Sequence, residues 1–168
     1  MTDIAPAFVE KSRKLLLADY LPKIESCLAR LRDEDVWWRP NDASNSIGNL
    51  ILHLCGNVTQ WIIGGVGRRP FERHRQGEFD ERRHLPSSEV FARLRAVTTE
   101  AADIIGSMDS AALLGRCRIQ SYDVTALEAI YHVVEHFGMH TGQIILLTKA
   151  RTGQDLGLWR QPEHLTSL

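Results

Sequence analysis

Several features that often reveal a protein's class are missing from this sequence. The chain has only three cysteines, Cys27, Cys55 and Cys117, which lie far apart and form no CxxC pair. This usage excludes a disulfide framework and is typical of free thiols in a reducing compartment. No apolar run is long enough to span a bilayer, and the first residues carry acids without an apolar segment of the kind found in signal peptides. We therefore expect a cytoplasmic protein with no membrane partner.

The chain also lacks an excess of charge of either sign. Its 20 Lys and Arg residues nearly balance its 21 Asp and Glu residues, giving a formal net charge of −1. In the arginine-rich stretch 68–86 the basic residues alternate with acids, so no basic patch for nucleic acid is predicted. There is no glycine-rich phosphate loop and no GxSxG nucleophile elbow. Nucleic-acid binding, nucleotide-phosphate binding and serine-hydrolase chemistry are thus not indicated.

What the sequence does contain is apolar periodicity at helical spacing. Residues recurring every three or four positions predict four amphipathic helices, over about 6–32, 46–64, 87–107 and 125–152. No segment predicts a convincing strand; Leu113 to Tyr122 reads as extended but too short to define a sheet. The pattern predicts an all-α protein, an antiparallel four-helix bundle formed by residues 1–168 as a single domain.

Local signals place the ends of these helices. Pro22 lies inside the first helix and predicts a kink or break. We expect Ser44 to Ser46 to cap the second helix, Ser87 or Ser88 the third, and Thr125 with Glu128 to form a capping box on the fourth. We expect the second helix to end at Gly64, Gly65 and Gly67, and the fourth helix to end at Gly153.

The links between helices predict their arrangement. The shorter link predicts that the first and second helices are neighbours, whereas the long connection 68–86 between the second and third permits a crossover. A connection of that length is often functional and is a candidate to cover a site. His74 and His84, which it carries, are expected to be exposed. The tail after Gly153 is irregular, and Trp159 is expected to pack it back on the helices.

The fourth helix carries the most informative pattern, with His132, His136 and His140 at four-residue spacing. Neighbours in such a series lie about 6 Å apart along the axis, so two of the three imidazoles can share one ion. His136 and His140 fall within or beside the apolar stripe, whereas His132 lies a turn further round toward Glu128 and Glu135. The alternative is a helix whose histidines only pack and hydrogen-bond.

The second helix carries His53 at the edge of its own apolar stripe, in a position like that of His136. If His53 converges with His136 and His140, three neutral imidazoles leave a coordination position free for water or substrate. Such a layout is typical of catalytic metal sites, although imidazole suits zinc, nickel, copper and iron alike. Asn57, one turn beyond His53, is a candidate to orient a ligand or a bound water.

Three segments together resemble a known family. They are DVWWRP, NSIGNLILHLCGNVTQW and EHFGMHTGQI, which occur in that order along nearly the whole chain. They are similar to the DinB-like superfamily, and in particular to its uncharacterised DUF1572-type branch. The resemblance implies a four-helix bundle, often dimeric, in which His53, His136 and His140 hold one divalent metal ion. Zinc, nickel or iron is expected.

The resemblance also implies candidate functions. Some relatives are thiol-dependent S-transferases, which implies a low-molecular-weight thiol as a second cofactor and a small electrophile as substrate. The alternatives are a metal-dependent hydrolase, for which no acid or base is assigned from the sequence, and a non-catalytic metal-binding or dimerisation module. No catalytic residue is predicted. For a homodimer, the candidate face on the fourth helix is formed by Leu127, Val134 and Ile145.

Overall fold

A computed structural model of the chain describes residues 3–159, and over these it is mostly helical with one small two-stranded sheet. The α-helices are α1 Ala5–Lys14, α2 Leu21–Leu28, α3 Asp33–Val36, α4 Ile47–Val58, α5 Arg75–Asp80, α6 Ser87–Gly106, α7 Ser110–Leu114 and α8 Ala126–Thr152. Two π-helical segments, Leu15–Tyr20 and Thr59–Val66, join or extend them. The strands are β1 Arg116–Ile119 and β2 Tyr122–Thr125.

The first long helix, residues 5–28, runs through α1, the first π-helical segment and α2 without a break. Pro22 is at the second position of α2, directly after the π-helical segment, and the Leu21 N–H donates to the carbonyl of Leu16. The wider turn accommodates the ring and the missing donor of the proline. The predicted disturbance at Pro22 is therefore a local widening, and the helix ends at Leu28 rather than near residue 32.

The second long helix, residues 47–66, consists of α4 and the second π-helical segment. Ser46 caps it as predicted, accepting from the Asn49 N–H. The predicted stop is confirmed at Gly67, which is the C-cap of this helix, and is wrong at Gly64 and Gly65, which lie within the π-helical segment. A Cβ at Gly64 would lie 2.2 Å from the Phe71 ring, and one at Gly65 would lie 2.4 Å from Ile119. These glycines serve close packing rather than helix termination.

The ends of the third and fourth long helices, α6 and α8, follow the prediction in part. Pro86, not a serine, occupies the N-cap of α6, and Ser87 is the first helical residue. The capping box of Thr125 with Glu128 is present at the start of α8. Gly153 ends α8 with a left-handed φ of 67°, the conformation that glycine adopts most readily.

The first long helix packs chiefly on α6 and α8, and the second long helix also packs chiefly on α6 and α8. The prediction that the first two helices are neighbours is wrong, because residues 29–46, which include α3, form a link long enough to separate them. The apolar faces enclose one core. Its largest fully buried side chains are Phe137, Leu16, Ile24, Ile47, Ile51, Leu54, Ile62, Leu94, Ile105, Ile130, Ile144 and Val36.

The hairpin formed by β1 and β2 was not predicted. The strands are antiparallel, with Ile119 opposite Tyr122, and the turn residue Gln120 has a φ of 55°. Only Ile119 of the eight strand residues is buried, so the sequence carries no full alternating pattern. The hairpin lies next to the second long helix, and it is a small addition to a fold that is mostly helical, as predicted.

Two expectations about the surface change with the structure. Ile145 is only 7% exposed and belongs to the core, so the predicted dimer face of Leu127, Val134 and Ile145 is wrong. Trp159 is exposed and touches the helices through the ammonium groups of Lys23 and Lys149. Across residues 3–159, none of the helices has both the length and the apolarity that crossing a membrane requires.

Candidate metal centre

Three imidazoles meet between α4 and α8. The Nε2 atom of His136 lies 3.2 Å from Nε2 of His53 and 3.2 Å from Nε2 of His140. One ring nitrogen from each residue lies within 4.8 Å of the others. The structure thus brings together the three histidines that the sequence predicts as ligands, close enough to hold a metal ion. Their role as ligands stays a prediction.

The helices explain why these rings converge. His136 and His140 are one turn apart on the buried side of α8, with ring centroids 4.4 Å apart. His53 faces them from α4, which packs against α8. His53 is 5% exposed and His140 is 8% exposed, so two of the imidazoles are almost entirely removed from water. Polar groups buried this far need partners.

The hydrogen bonds of the Nδ1 atoms determine whether the Nε2 atoms, which face the centre of the cluster, carry a proton or a lone pair. Nδ1 of His53 lies 2.9 Å from Oε2 of Glu78, and Nδ1 of His140 lies 2.7 Å from Oε1 of Gln143. Both acceptors are oxygens, so each Nδ1 carries the proton and donates it. In the neutral rings the Nε2 atoms of His53 and His140 are therefore lone pairs directed at His136.

A hydrogen-bonded cluster does not account for this arrangement. Nε2 of His136 carries at most one proton and can donate it to only one of the two facing lone pairs. Within residues 3–159, Nδ1 of His136 is buried and has no hydrogen-bond partner. At least one of the two facing lone pairs is then left without a full hydrogen bond, whereas a cation at the centre would bind all three Nε2 atoms. The residues present therefore fit a divalent metal, with the outer acceptors orienting the rings as in known metal sites.

Glu78 is itself held by a buried arginine. The Arg73 guanidinium donates from Nε to Oε1 of Glu78 at 2.7 Å and from Nη2 to Oε2 at 2.9 Å. Burial alone raises the pKa of Glu78, but the hydrogen bonds from Arg73 and His53 outweigh it and leave that pKa below its ordinary value. Glu78 is thus an anion that accepts a hydrogen bond from Nδ1 of His53.

The connection 68–86 covers the site, as its length suggested. Helix α5 places Glu78 on His53, and the Phe79 ring tilts over the same imidazole at 4.8 Å between centroids. The Asn49 side chain donates to the carbonyl of Glu78 at 2.8 Å and so ties α5 to the start of α4. Gly56 makes room for the ion pair: a Cβ there would lie 2.0 Å from Oε1 of Glu78.

The electrostatics favour neutral rings at the three histidines of α8, His132, His136 and His140. Burial is the largest of the causes that together lower the pKa of His136 to about 3, and the nearby His140, His53 and His132 act in the same direction. Burial likewise lowers the pKa of His140 and of His132. Neutral imidazole is the form that binds a metal ion, so at neutral pH no proton has to be displaced from these rings.

His132 lies outside the convergent set, as the helical wheel predicts. Its ring is 5.5 Å from that of His136 between centroids and packs on Trp61 at 4.1 Å. The Asn57 amide lies with Nδ2 3.3 Å from Nε2 of His132. His74 and His84 are exposed, as expected, and His84 stacks on Trp37.

The sequence did not predict three partners of the cluster, which are Glu78, Arg73 and Gln143. Glu78 and Arg73 lie in a loop where acids and arginines alternate, so nothing in the local pattern separates them from solvent-exposed neighbours. Gln143 is the residue at i+3 from His140, and that spacing is a usable signal. Gly56 is a second usable signal, because a glycine in the middle of an apolar helix indicates that another element packs closely there.

A cavity of about 360 Å³ adjoins His53 and His136. The second long helix, the loop before α5, the start of α5, the hairpin and α8 all contribute to its wall. Its lining residues are His53, Asn57, Gln60, Trp61, Arg73, Arg75, Gln120, Tyr122, His132 and His136. The volume lies within the range of small-molecule sites, about 300–1,000 Å³.

Residues 3–161 match the model of a family described as a protein of unknown function, DUF1572. The chain belongs to the DUF1572 family. No curated protein and no solved structure matches it. Because the description of DUF1572 names no activity, the function has to be argued from the site itself.

Proposed function

We propose that this DUF1572 protein is a metal-dependent enzyme that acts on a small molecule. One divalent metal ion, zinc, nickel or iron, would be held by His53, His136 and His140. The observation that carries the proposal is the convergence of the three Nε2 atoms while Nδ1 of His53 and of His140 is engaged by Glu78 and Gln143. Three protein ligands beside a cavity are the arrangement of catalytic rather than closed structural sites.

The most concrete reaction that we propose is S-transfer from a low-molecular-weight thiol to a small electrophile. A divalent metal ion held by these three histidines would lower the pKa of a thiol or a water molecule bound to it. The chain's own contribution is to orient His53 through Glu78 and to exclude water with Phe79. Arg75, which lines the cavity, places a positive charge where an anionic thiol cofactor would enter.

A metal-dependent hydrolase is the second candidate, and His132 favours it. Its ring lines the same cavity, and burial keeps its pKa below the ordinary value, so it is a neutral proton acceptor at pH 7. A general base has to lie within reach of the proton it removes. In hydrolysis His132 would take a proton from water, whereas a thiol bound to the metal ionises without a base.

We also propose the finer classification that the sequence suggests, a DinB-like four-helix bundle. The four long helices, their shared core and the position of the histidines on α4 and α8 support it. A homodimer is proposed with it.

The first test is elemental analysis of untagged protein purified without chelator. We expect about one equivalent of zinc, nickel or iron per chain, lost in His140→Ala, while His74→Ala, a change at an exposed histidine, retains it. His53→Ala and His136→Ala are expected to abolish tight binding, and His132→Ala to weaken it modestly. Full metal content in His136→Ala would contradict the ligand assignment, and no metal after reconstitution would favour the non-catalytic module.

The reaction is tested on the loaded protein. Thiol-dependent consumption of a small electrophile such as monobromobimane, abolished in His140→Ala and unaffected in His132→Ala, supports S-transfer. Hydrolysis of a small activated ester that His140→Ala abolishes and His132→Ala lowers at least tenfold would support the hydrolase instead.

A further inference from the structure

One polar atom of the cavity wall is buried without a partner. Asn57 is 4% exposed and lines the cavity, and its Oδ1 makes no hydrogen bond to any residue between 3 and 159. The other end of the amide is used, with Nδ2 beside Nε2 of His132. A buried acceptor without a donor destabilises the folded protein, so native proteins rarely contain one without a functional reason.

The other amides of the wall are already engaged. Gln60 Oε1 accepts from Nη1 of Arg73 at 2.6 Å and from Nε2 of Gln120 at 3.1 Å. Gln120 is the turn residue with a φ of 55°, a conformation that non-glycine residues seldom hold except where the surroundings enforce it. The Gln60–Gln120 contact therefore holds the hairpin against the second long helix, and Asn57 Oδ1 is a buried acceptor that stays available to a ligand.

The charges around the cavity favour an anion. Its charged lining residues are Arg73 and Arg75, and no carboxylate is among the residues that line it in the described part of the chain. Arg73 is neutralised by Glu78, whereas the Arg75 guanidinium lies over the Phe79 ring at 5.1 Å. The histidine cluster contributes no negative charge, so a bound metal leaves the site positive. A ligand with one negative charge complements it.

Aromatic rings form the remaining wall. The ring centroids of Trp61 and Tyr122 lie 5.9 Å apart, and the His132 ring also packs on Trp61. Trp61 is held by the second π-helical segment, and Tyr122 begins β2. Rings placed at the side of a cavity favour a flat, apolar body in the ligand.

We propose that the substrate of this cavity is a small anion with three features. Its acidic group faces His53, His136 and His140, an N–H or O–H next to that group donates to Asn57 Oδ1, and a flat apolar body lies along Trp61 and Tyr122. This substrate class rests on the proposed metal site and narrows what that site accepts.

A matched pair of probes tests it. Benzohydroxamate binds zinc as an anion, has a flat ring and offers an N–H; N-methylbenzohydroxamate is the same ligand without that donor. In calorimetric titrations of the zinc-loaded protein we expect benzohydroxamate to bind about tenfold more tightly, the effect of one buried hydrogen bond. We expect Asn57→Ala to bind both probes equally while its zinc content stays at one equivalent.

A second variant keeps the test independent of the buried asparagine. Arg75 is exposed, so Arg75→Gln is expected to fold normally and to weaken both probes about threefold or more at low salt, whereas Arg93→Gln, a matched change on α6, leaves both unchanged. Equal affinities for the two probes in native protein that contains zinc would overturn this inference alone. A native protein that holds no divalent metal ion, even after reconstitution with zinc, would overturn both this inference and the proposed function.

Discussion

Glu78 Oε2 accepts the Nδ1 proton of His53 at 2.9 Å, and this contact links the loop above the site to the inside of the fold. It fixes which nitrogen of His53 is a lone pair and where the ring points. A carboxylate in this position also makes the imidazole a stronger donor to a metal. The loop is therefore part of the metal centre and not only its cover.

The first prediction concerns the charge of Glu78. Glu78→Gln keeps an oxygen that can accept from His53 but removes the anion, and we expect metal affinity to fall about 10- to 100-fold. Competition with a chromophoric chelator measures this. Glu72→Gln, in the same loop at an exposed position, is the control and should bind metal as the native protein does. Unchanged affinity in Glu78→Gln would mean that the carboxylate has no part in the site.

Much of the site could be predicted from sequence because its ligands are carried by helices. His136 and His140 face inward by helical periodicity alone, and His53 occupies the equivalent edge of α4. These positions depend on local geometry, which a sequence reports directly. The same is true of the capping box at Thr125 and the left-handed end at Gly153.

What could not be predicted depends on contacts between distant segments. The carboxylate of Glu78 is 25 positions from His53 and reaches it only through the path of a loop rich in acids and arginines. The hairpin could not be predicted because its four-residue strands bury few side chains. Its turn residue Gln120 is also not one of the residues that favour a positive φ. Which long helices pack side by side could not be predicted, because the length of a link allows several arrangements of the helices it joins.

The second prediction uses two glycines in long helices. In Gly56→Ala the new methyl group meets Glu78 Oε1 and Arg73 Nε, which are ends of side chains and can move away. We expect a folded protein in which Glu78 has left His53, with metal affinity at least about tenfold weaker. Gly142→Ala is the control, since nothing lies within 4 Å of a Cβ there.

The two variants should separate stability from metal binding. Gly142→Ala lies inside α8 and is expected to raise the free energy of unfolding by about 0.5–1 kcal/mol while metal affinity stays the same. Urea unfolding of the metal-free proteins and chelator competition on the loaded ones measure the two quantities. If Gly56→Ala binds metal like Gly142→Ala, the ion pair of Arg73 with Glu78 does not hold the site together.

The third prediction is the homodimer. On α8 the large apolar residues that are exposed are Tyr131, Met139 and Leu146, which fall within about 80° of one another around the helix. A face of this kind is typical of subunit contacts. Light scattering should give about twice the chain mass of 19.0 kDa. Leu146→Glu should give a monomer, whereas Leu114→Glu, at a similarly exposed leucine on α7, should not. A monomeric native protein would contradict the prediction.

The fourth prediction is a loss of stability in acid that originates in His136. Burial, together with the neighbouring histidines, lowers the pKa of His136 to about 3 in the folded protein, while the ordinary value is 6.5. Between these values the unfolded chain binds a proton that the folded protein does not, so the free energy of unfolding rises with pH. The stabilisation is complete above pH 6.5 and is lost as the pH falls toward 3. Urea midpoints of metal-free protein across this window measure it.

The variant His136→Gln shows whether this one residue is responsible. Glutamine does not titrate, so the fall in the urea midpoint between pH 6.5 and pH 4 should be clearly smaller than in the native protein. His140 and His132, whose pKa values are also lowered by burial, account for the part that remains. The loaded protein should release its metal in the same direction, since a protonated imidazole is no ligand. An identical pH slope in His136→Gln would place the acid sensitivity elsewhere in the chain.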